Sequence, residues 1–335
     1  SKAKAYQSGY PVESSRYRQL FTNQQWIRRR HGWDAVLNYG SRRRYLNMAR
    51  AWWHWRRRDL QLTSYPVSLF VDTVNVCNLR CPFCPTGSGD LDRNQGFMPL
   101  DRFRSLIDEV AEHTAMVFLF DWGEPMLHPH LCEMIEYAHQ YGLYSCVHSN
   151  FSLELDEPAV ERLVTSGLSH LSLSIDGATQ DVYERYRKKG QLGRVLRNIE
   201  MLVGIRRRLG MSRPHLRWRY LAFRHNEHEI DAARRISEEL GVDEFSVSGG
   251  LVDDPSWVAR NSYRYEVIRD LPDTCSWPWF NTVIHMDGGV GSCCYQNSGK
   301  FNLGSLDGKS LKAVWNSTSY REMRAFLGPG AASSS

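Results

Sequence analysis

Between Ser68 and Val247 short apolar runs of strand length alternate with longer stretches whose apolar residues recur at helical spacing. The short runs predict strands over 69–76, 116–122, 143–148, 170–175, 216–223 and 244–247. The longer stretches predict helices over 101–113, 130–141, 157–166, 193–209 and 227–240. Several open on an Asp or His-Pro signal and several close on Gly. This rhythm belongs to a parallel sheet with crossover helices, and six such units fit an incomplete barrel better than a closed eight-stranded one. After about Gly249 the rhythm breaks. Pro255, Pro272 and Pro278 punctuate a Trp- and Gly-rich segment that reads as a smaller appended module. The division expected is an extension over 1–64, a partial barrel over 65–250, a module over 251–327 and a flexible tail over 328–335.

The chain has 335 residues, 42% apolar and 24% charged, with a mean hydropathy of -0.48. Those values exclude a wholly disordered chain and leave room for a large α/β core. The longest apolar run, Ala115 to Phe120, is far too short to cross a bilayer. The chain opens on Ser1 without Met, which suggests trimming, and shows no leader pattern, so a soluble cytoplasmic protein is expected.

The net charge of +5 conceals a split. Residues 1–60 hold 14 Lys and Arg against Glu13, Asp34 and Asp59, a net +11, whereas the remainder holds 28 basic and 34 acidic residues, a net -6. Five of the eleven Trp lie in the same opening segment: Trp26, Trp33, Trp52, Trp53 and Trp55. Interleaved Arg and Trp suit a helical cap or partner surface over the barrel, with a solvated charged face as the equal alternative and membrane-surface or nucleic-acid contact as lesser ones.

Three of the eight Cys fall in Cys77-Asn78-Leu79-Arg80-Cys81-Pro82-Phe83-Cys84, directly after the first predicted strand. That places three thiols on one loop at the carboxyl end of a barrel strand, where active sites of such barrels collect. Three thiolates can hold three irons of a four-iron, four-sulfur cluster and leave the fourth open. A structural zinc site would need a fourth ligand, and no further Cys or His lies close in sequence. Cys132 and Cys146, in a helix and a strand, read as small buried hydrophobes. His113, His128, His130, His139, His225 and His228 show no ligand spacing. His148 stands apart because it falls at the carboxyl end of a strand, and it is a candidate catalytic residue.

With this triplet and several further motifs in order, the chain resembles the radical SAM enzymes over roughly residues 65–325. Asp121-Trp122-Gly123-Glu124-Pro125 is similar to that family's Gly-Gly-Glu-Pro turn, with Trp122 in place of the first Gly. The resemblance implies a partial (β/α)6 radical SAM barrel with a basic helical N-terminal extension and a small C-terminal module. It also implies one [4Fe-4S] cluster on Cys77, Cys81 and Cys84 and S-adenosylmethionine (SAM) as cofactor. Cofactor contacts are then expected from Phe83, Gly123, Glu124, Pro125, Asn150, Ser174 and Arg187, with Glu124 meeting the SAM amine. The activity implied is reductive cleavage of SAM to a 5'-deoxyadenosyl radical, fed by an electron donor such as flavodoxin or ferredoxin.

The stretch Cys275-Ser276-Trp277-Pro278-Trp279, Asp287-Gly288, Cys293-Cys294, Leu303-Gly304 and Val314-Trp315-Asn316 resembles the start of a SPASM or twitch module. No Cys follows Cys294, so a degenerate module closing the substrate pocket is expected. A second iron–sulfur cluster with Cys275 and Cys293 as ligands is the alternative, as is Cys294 as a hydrogen donor. Compact relatives with a truncated module include a cytosylglucuronate decarboxylase and aminoglycoside-type epimerases and dehydrogenases. The substrate expected on that ground is a sugar, aminosugar or nucleoside, undergoing decarboxylation, epimerisation or dehydrogenation. A peptide substrate is the alternative. A nucleic-acid-binding module built on the Arg/Trp opening is the alternative from another class, but no RNA-binding signature is visible.

Overall fold

The computed structural model describes residues 38–250, 252, 254–260, 275–291, 293 and 302–327. Residues 1–37 of the basic segment, Cys294 and the tail 328–335 lie outside the described residues. Helix α1 (Arg42–Arg57) precedes β1 (Ser68–Val71). There follow α2 (Pro85–Ser88), α3 (Leu100–Val110), β2 (Met116–Phe118), α4 (Leu131–Gln140), β3 (Tyr144–Ser149) and α5 (Glu157–Thr165). Then come β4 (His170–Ser174), α6 (Gln180–Tyr186), α7 (Leu192–Arg208), β5 (His215–Ala222), α8 (Ile230–Glu239) and β6 (Glu244–Gly249). The C-terminal part contributes α9 (Trp277–Phe280), β7 (Asn281–Ile284), β8 (Gly289–Gly291), β9 (Asn302–Ser305), α10 (Leu311–Trp315) and α11 (Thr318–Phe326).

All nine strands join one sheet in the order β6-β5-β4-β3-β2-β1-β7-β8-β9. Strands β1 to β6 run parallel and, with their crossover helices, make the partial barrel that the sequence rhythm predicts. β7 continues the sheet beyond β1, also parallel, with Ser68 opposite Asn281 and Val71 opposite Ile284. β8 and β9 then fold back antiparallel. The C-terminal segment therefore shares the barrel's hydrogen-bonded ladder.

Because both faces of a parallel sheet are covered, the strands read as apolar runs whose alternate residues serve two cores. Leu69, Val71, Val117 and Val147 point to the helices, where Phe103, Leu106, Ile107 and Val110 of α3 lie at the i, i+3, i+4, i+7 positions of one stripe. Phe70, Phe118, Cys146 and Val283 point the other way, into the barrel interior, with Trp277. There Phe70 stacks on Phe118 at 4.5 Å and meets Trp277 at 5.0 Å. Cys146 is fully buried in this cluster, and Cys132 is half-buried against the other.

Two strands end earlier than their apolar patterns suggest. β1 stops at Val71 because the chain beyond it turns to pair with an incoming loop: Met98 N donates to Thr73 O at 2.8 Å and Asn75 N to Gly96 O at 3.3 Å. β2 stops at Phe118, and the residues beyond it form a turn whose Glu124 N donates to Val76 O at 2.9 Å. Helix α6, which the sequence pattern misses, is a single short element burying only Tyr183 and Tyr186.

Helix α1 lies against the amino-terminal face of the strands, so the described part of the basic segment forms a floor rather than a lid. Its Arg44 is buried and donates to Ala111 O at 2.8 Å, Tyr141 O at 2.6 Å, Tyr39 O at 2.6 Å and Gly142 O. Ala111 and Tyr141 cap the carboxyl ends of α3 and α4, where a cation is favoured by the helix dipoles. Asn47 adds bonds to Tyr65 O at 3.0 Å and His113 O at 3.1 Å.

Replacing Arg44 by Met should leave these carbonyls unsatisfied and cost about 3 kcal/mol, whereas Arg50→Ala on the exposed side should cost less than about 0.5 kcal/mol. Urea unfolding of both variants checks the contrast, and equal costs would contradict the floor assignment.

Candidate functional site

The residues after β1 carry the chain across the carboxyl end of the barrel and into the Cys77–Cys84 loop. Cys84 caps α2 and donates its N–H to Cys81 O at 3.2 Å, which curls the loop back on itself. Gly87 in α2 is held to glycine because a Cβ there would lie 2.5 Å from Cys81 O. From the far side Arg80 N donates to Lys188 O at 3.0 Å. All three thiols are free. Weak donors face two of them: Leu79 N at 3.4 Å and Asn150 Nδ2 at 3.7 Å for Cys77 Sγ, and Arg187 Nη1 at 3.9 Å for Cys81 Sγ.

Burial, with Glu124 nearby, pushes the Cys77 thiol up to about 12, and burial likewise raises Cys81. Thiolates on this loop therefore need positive charge beside them, which a bound iron cluster provides. Three thiols on one loop leave a tetrahedral zinc ion one protein ligand short, whereas a four-iron cluster can be held by three.

The turn after β2 is fixed next to this loop. A Cβ on Gly123 would overlap the Val74 carbonyl oxygen, so the close approach of the two segments requires glycine there. Pro125 opens a short 3-10 turn over Pro125–Leu127. Glu124 is 2% exposed, yet its carboxylate is well supplied with donors. Oε1 accepts from Ser149 Oγ at 2.7 Å and Met126 N at 3.0 Å, and Oε2 from Asn150 N at 2.7 Å. Burial raises its pKa, and these bonds pull it back. Oε2 accepts one bond from the protein, leaving capacity for a cationic ligand.

Asn150 joins the two segments, since its Nδ2 donates to Asn78 Oδ1 at 2.9 Å. Arg187, just after α6, donates through Nε to Asp176 Oδ2 at 2.6 Å and thereby stays beside Cys81. Phe83 meets Trp257 edge-on at 5.1 Å and lies 6.5 Å from Tyr186. Cys77, Cys81, Cys84, Phe83, Gly123, Glu124, Pro125, Asn150 and Arg187 thus gather around one loop and turn. Ser174 ends β4 on the same carboxyl face. His148 of β3 stacks on Phe120 at 3.7 Å and 8°, above the interior aromatic cluster. Cys275 and Cys293 both pack against that interior cluster.

A second constellation escapes sequence reasoning. At the carboxyl ends of β1, β2 and β7, Arg93 reaches Asp72 Oδ2 at 3.2 Å, Asp121 Oδ2 at 3.6 Å and His285 Nδ1. The side chains of Arg93, Asp72 and Asp121 are 4%, 0% and 2% exposed. Burial pushes Asp72 up to about 6 and Asp121 upward as well, against the pull of Arg93, while burial drives His285 down to about 3. Cys293 is near enough to raise Asp121 further. Although the trio Asp72, Asp121 and His285 has the spacing of a metal site, the guanidinium among its ligand atoms makes it an ion-pair network.

Comparison with known proteins gives two domain matches: the radical SAM superfamily over residues 71–213 and SPASM, an iron-sulfur cluster-binding domain, over residues 275–333. PqqA peptide cyclase of Gluconobacter oxydans (strain 621H) is 32% identical over 126 residues, 38% of this chain and 35% of that protein. The PqqA peptide cyclase of Bradyrhizobium diazoefficiens is 22% identical over 213 residues, 62% and 52% of the two chains. AdoMet-dependent heme synthase of Methanosarcina barkeri is 31% identical over 144 residues, 43% and 41%. The chain thus spans between about a third and a half of the length of these curated relatives.

Among solved structures, Streptococcus suis SuiB bound to S-adenosylmethionine matches with a TM-score of 0.65 and 13% identity, over 95% of this chain and 84% of that one. Native anSMEcpe with bound AdoMet gives 0.58 and 16%, over 78% and 84%. Both likenesses support the fold.

Arg93→Met should leave two buried carboxylates without a counter-ion and cost about 3 to 5 kcal/mol. Adding Asp121→Asn in that background should recover part of the loss, since one negative charge is then removed. Unfolding of the four members of the cycle checks this, and additive effects would show that the groups do not interact.

Proposed function

We propose that this chain, a radical SAM enzyme with a C-terminal SPASM domain, modifies a peptide. The observation that carries the substrate class is the likeness to PqqA peptide cyclases, at 32% identity in one and across 62% of this chain in another. The relatives thereby favour the peptide alternative over the sugar or nucleoside expected from the short Cys-poor module. The sheet is compatible with an extended substrate, because β6 forms its edge and, among the described residues, pairs only with β5.

In this reading Cys77, Cys81 and Cys84 hold the [4Fe-4S] cluster. When bound, the cluster supplies the electron that cleaves SAM and so starts hydrogen abstraction. Glu124 would take the SAM ammonium on Oε2, with the donors from Ser149, Asn150 and Met126 aiming its carboxylate and opposing the upward push of burial. Gly123 and Pro125 shape that turn. Arg187, fixed by Asp176, keeps a positive charge beside Cys81 and within reach of a cofactor carboxylate. Asn150, Ser174 and Phe83 complete the cofactor contacts. His148, half-buried over Phe120, is placed to hold a proton on the reaction face. Cys275 and Cys293 are offered as ligands of a further cluster, and Cys294, from its place in the sequence, as a hydrogen donor. A flavodoxin or ferredoxin would serve as reductant.

Anaerobically reconstituted protein should form 5'-deoxyadenosine with SAM and reductant and should change the mass of a precursor peptide but not of nucleoside sugars. Cys77→Ala/Cys81→Ala/Cys84→Ala should lose both the iron and the cleavage. Glu124→Gln should retain iron and raise the KM for SAM about thirtyfold, the loss of one charge-assisted hydrogen bond. Native zinc, or full cleavage by the triple variant, would overturn the chemistry. Turnover of a sugar alone would overturn the substrate class.

A further inference from the structure

Helix α1 presents two sides of opposite character. Arg44, Asn47 and Ala51 face the barrel and are buried. On the other side Leu46, Ala49 and Trp53 run along the centre at helical spacing, bordered by Tyr45 and Trp52. Tyr45, Leu46, Trp52 and Trp53 are 44%, 48%, 51% and 55% exposed, unusual for large apolar side chains set side by side. Arg42, Arg50, Arg56 and Arg57 share this side, and the helix contains no acidic residue. Among the described residues Arg42, Arg50 and Arg56 form no ion pair, while Arg57 lies 3.6 Å from Asp59. Residues 1–37 carry the same composition in sequence, with Lys2, Lys4, Arg16, Arg18, Arg28, Arg29, Arg30, Trp26 and Trp33.

We propose that this face of α1 docks the enzyme on an anionic phospholipid surface. Interleaved Trp and Arg on one side of a helix match the bilayer interface, where indole rings sit at headgroup depth and guanidinium groups reach the phosphates. A second copy of the chain is disfavoured, since two such faces would bring like charges together. Single-stranded nucleic acid would need free indole faces for base stacking, and one face of each ring is taken by an arginine: Arg56 lies over Trp52 at 5.8 Å and Arg57 over Trp53 at 5.9 Å. The placement also suits catalysis at a membrane. α1 lies on the amino-terminal face, so the Cys77 loop on the opposite face would remain open to substrate and reductant. No described helix is long and apolar enough to cross the bilayer.

The test is co-sedimentation of the full chain with phosphatidylcholine vesicles and with vesicles containing one quarter phosphatidylglycerol. Binding to the anionic vesicles should be at least about tenfold tighter and should weaken with salt. Arg50→Glu/Arg56→Glu/Arg57→Glu should abolish the preference, and Trp52→Ala/Trp53→Ala should weaken binding about tenfold. The Trp variant should melt at the wild-type temperature because neither side chain is buried, and Arg50→Gln/Arg56→Gln/Arg57→Gln, which puts no acid in the last turn, should weaken anionic binding while staying folded. Quenching of tryptophan emission by brominated lipid, lost in the double Trp variant, would support insertion independently. Equal binding to both vesicles, or no binding, overturns the proposal. So does an oligoribonucleotide or concentration-dependent dimerisation that depends on these residues in the absence of vesicle binding.

Discussion

One buried carboxylate holds the upper face of this barrel together. Glu124 arrives from β2, but its partners come from the end of β3 and from its own turn, and Asn150 passes the connection on to the Cys77 loop. Three segments that share no secondary structure are thereby fixed around two oxygen atoms. Burial at this depth favours the protonated acid, and each donor offsets part of that cost. The same saturation makes the site selective. The capacity that remains on Oε2 suits a cationic donor, and a neutral ligand would gain little from it.

The Arg93 network plays a comparable part at the seam between β1 and β7. Asp72 and Asp121 follow barrel strands β1 and β2, His285 follows β7, and Arg93 comes from the loop that stops β1. Here burial and attraction oppose each other, so the network defines which groups meet more than it strengthens the fold. It also sits three residues before Glu124 and near Cys293, so the cofactor turn and the C-terminal module share a boundary made of charge.

What could be read from the chain follows from how local each feature is. The Cys77–Cys84 triplet and the Gly123-Glu124-Pro125 turn are contiguous, and the alternation of strands and helices is set by short-range periodicity, so all were legible. The early end of β1 was not, since the residues that divert it, Asn94 to Met98, carry no strand pattern of their own. Nor was the Arg93 network, assembled from four segments without spacing in common. Arg42, Arg43 and Arg44 look alike in sequence, and only the positions of the Ala111, Tyr141 and Gly142 carbonyls select Arg44 for burial. The module's place in the sheet was equally hidden, because β7 is only four residues long.

That shared ladder between β1 and β7 changes what kind of machine this can be. Two units joined by a linker could open and close on each other, but strands paired residue by residue from Ser68–Asn281 to Val71–Ile284 admit no hinge. The spacing between Cys77 and the Cys275–Cys293 region is then set by the sheet. If both places hold clusters, as proposed above, electron transfer between them would run over a distance that the paired strands keep fixed.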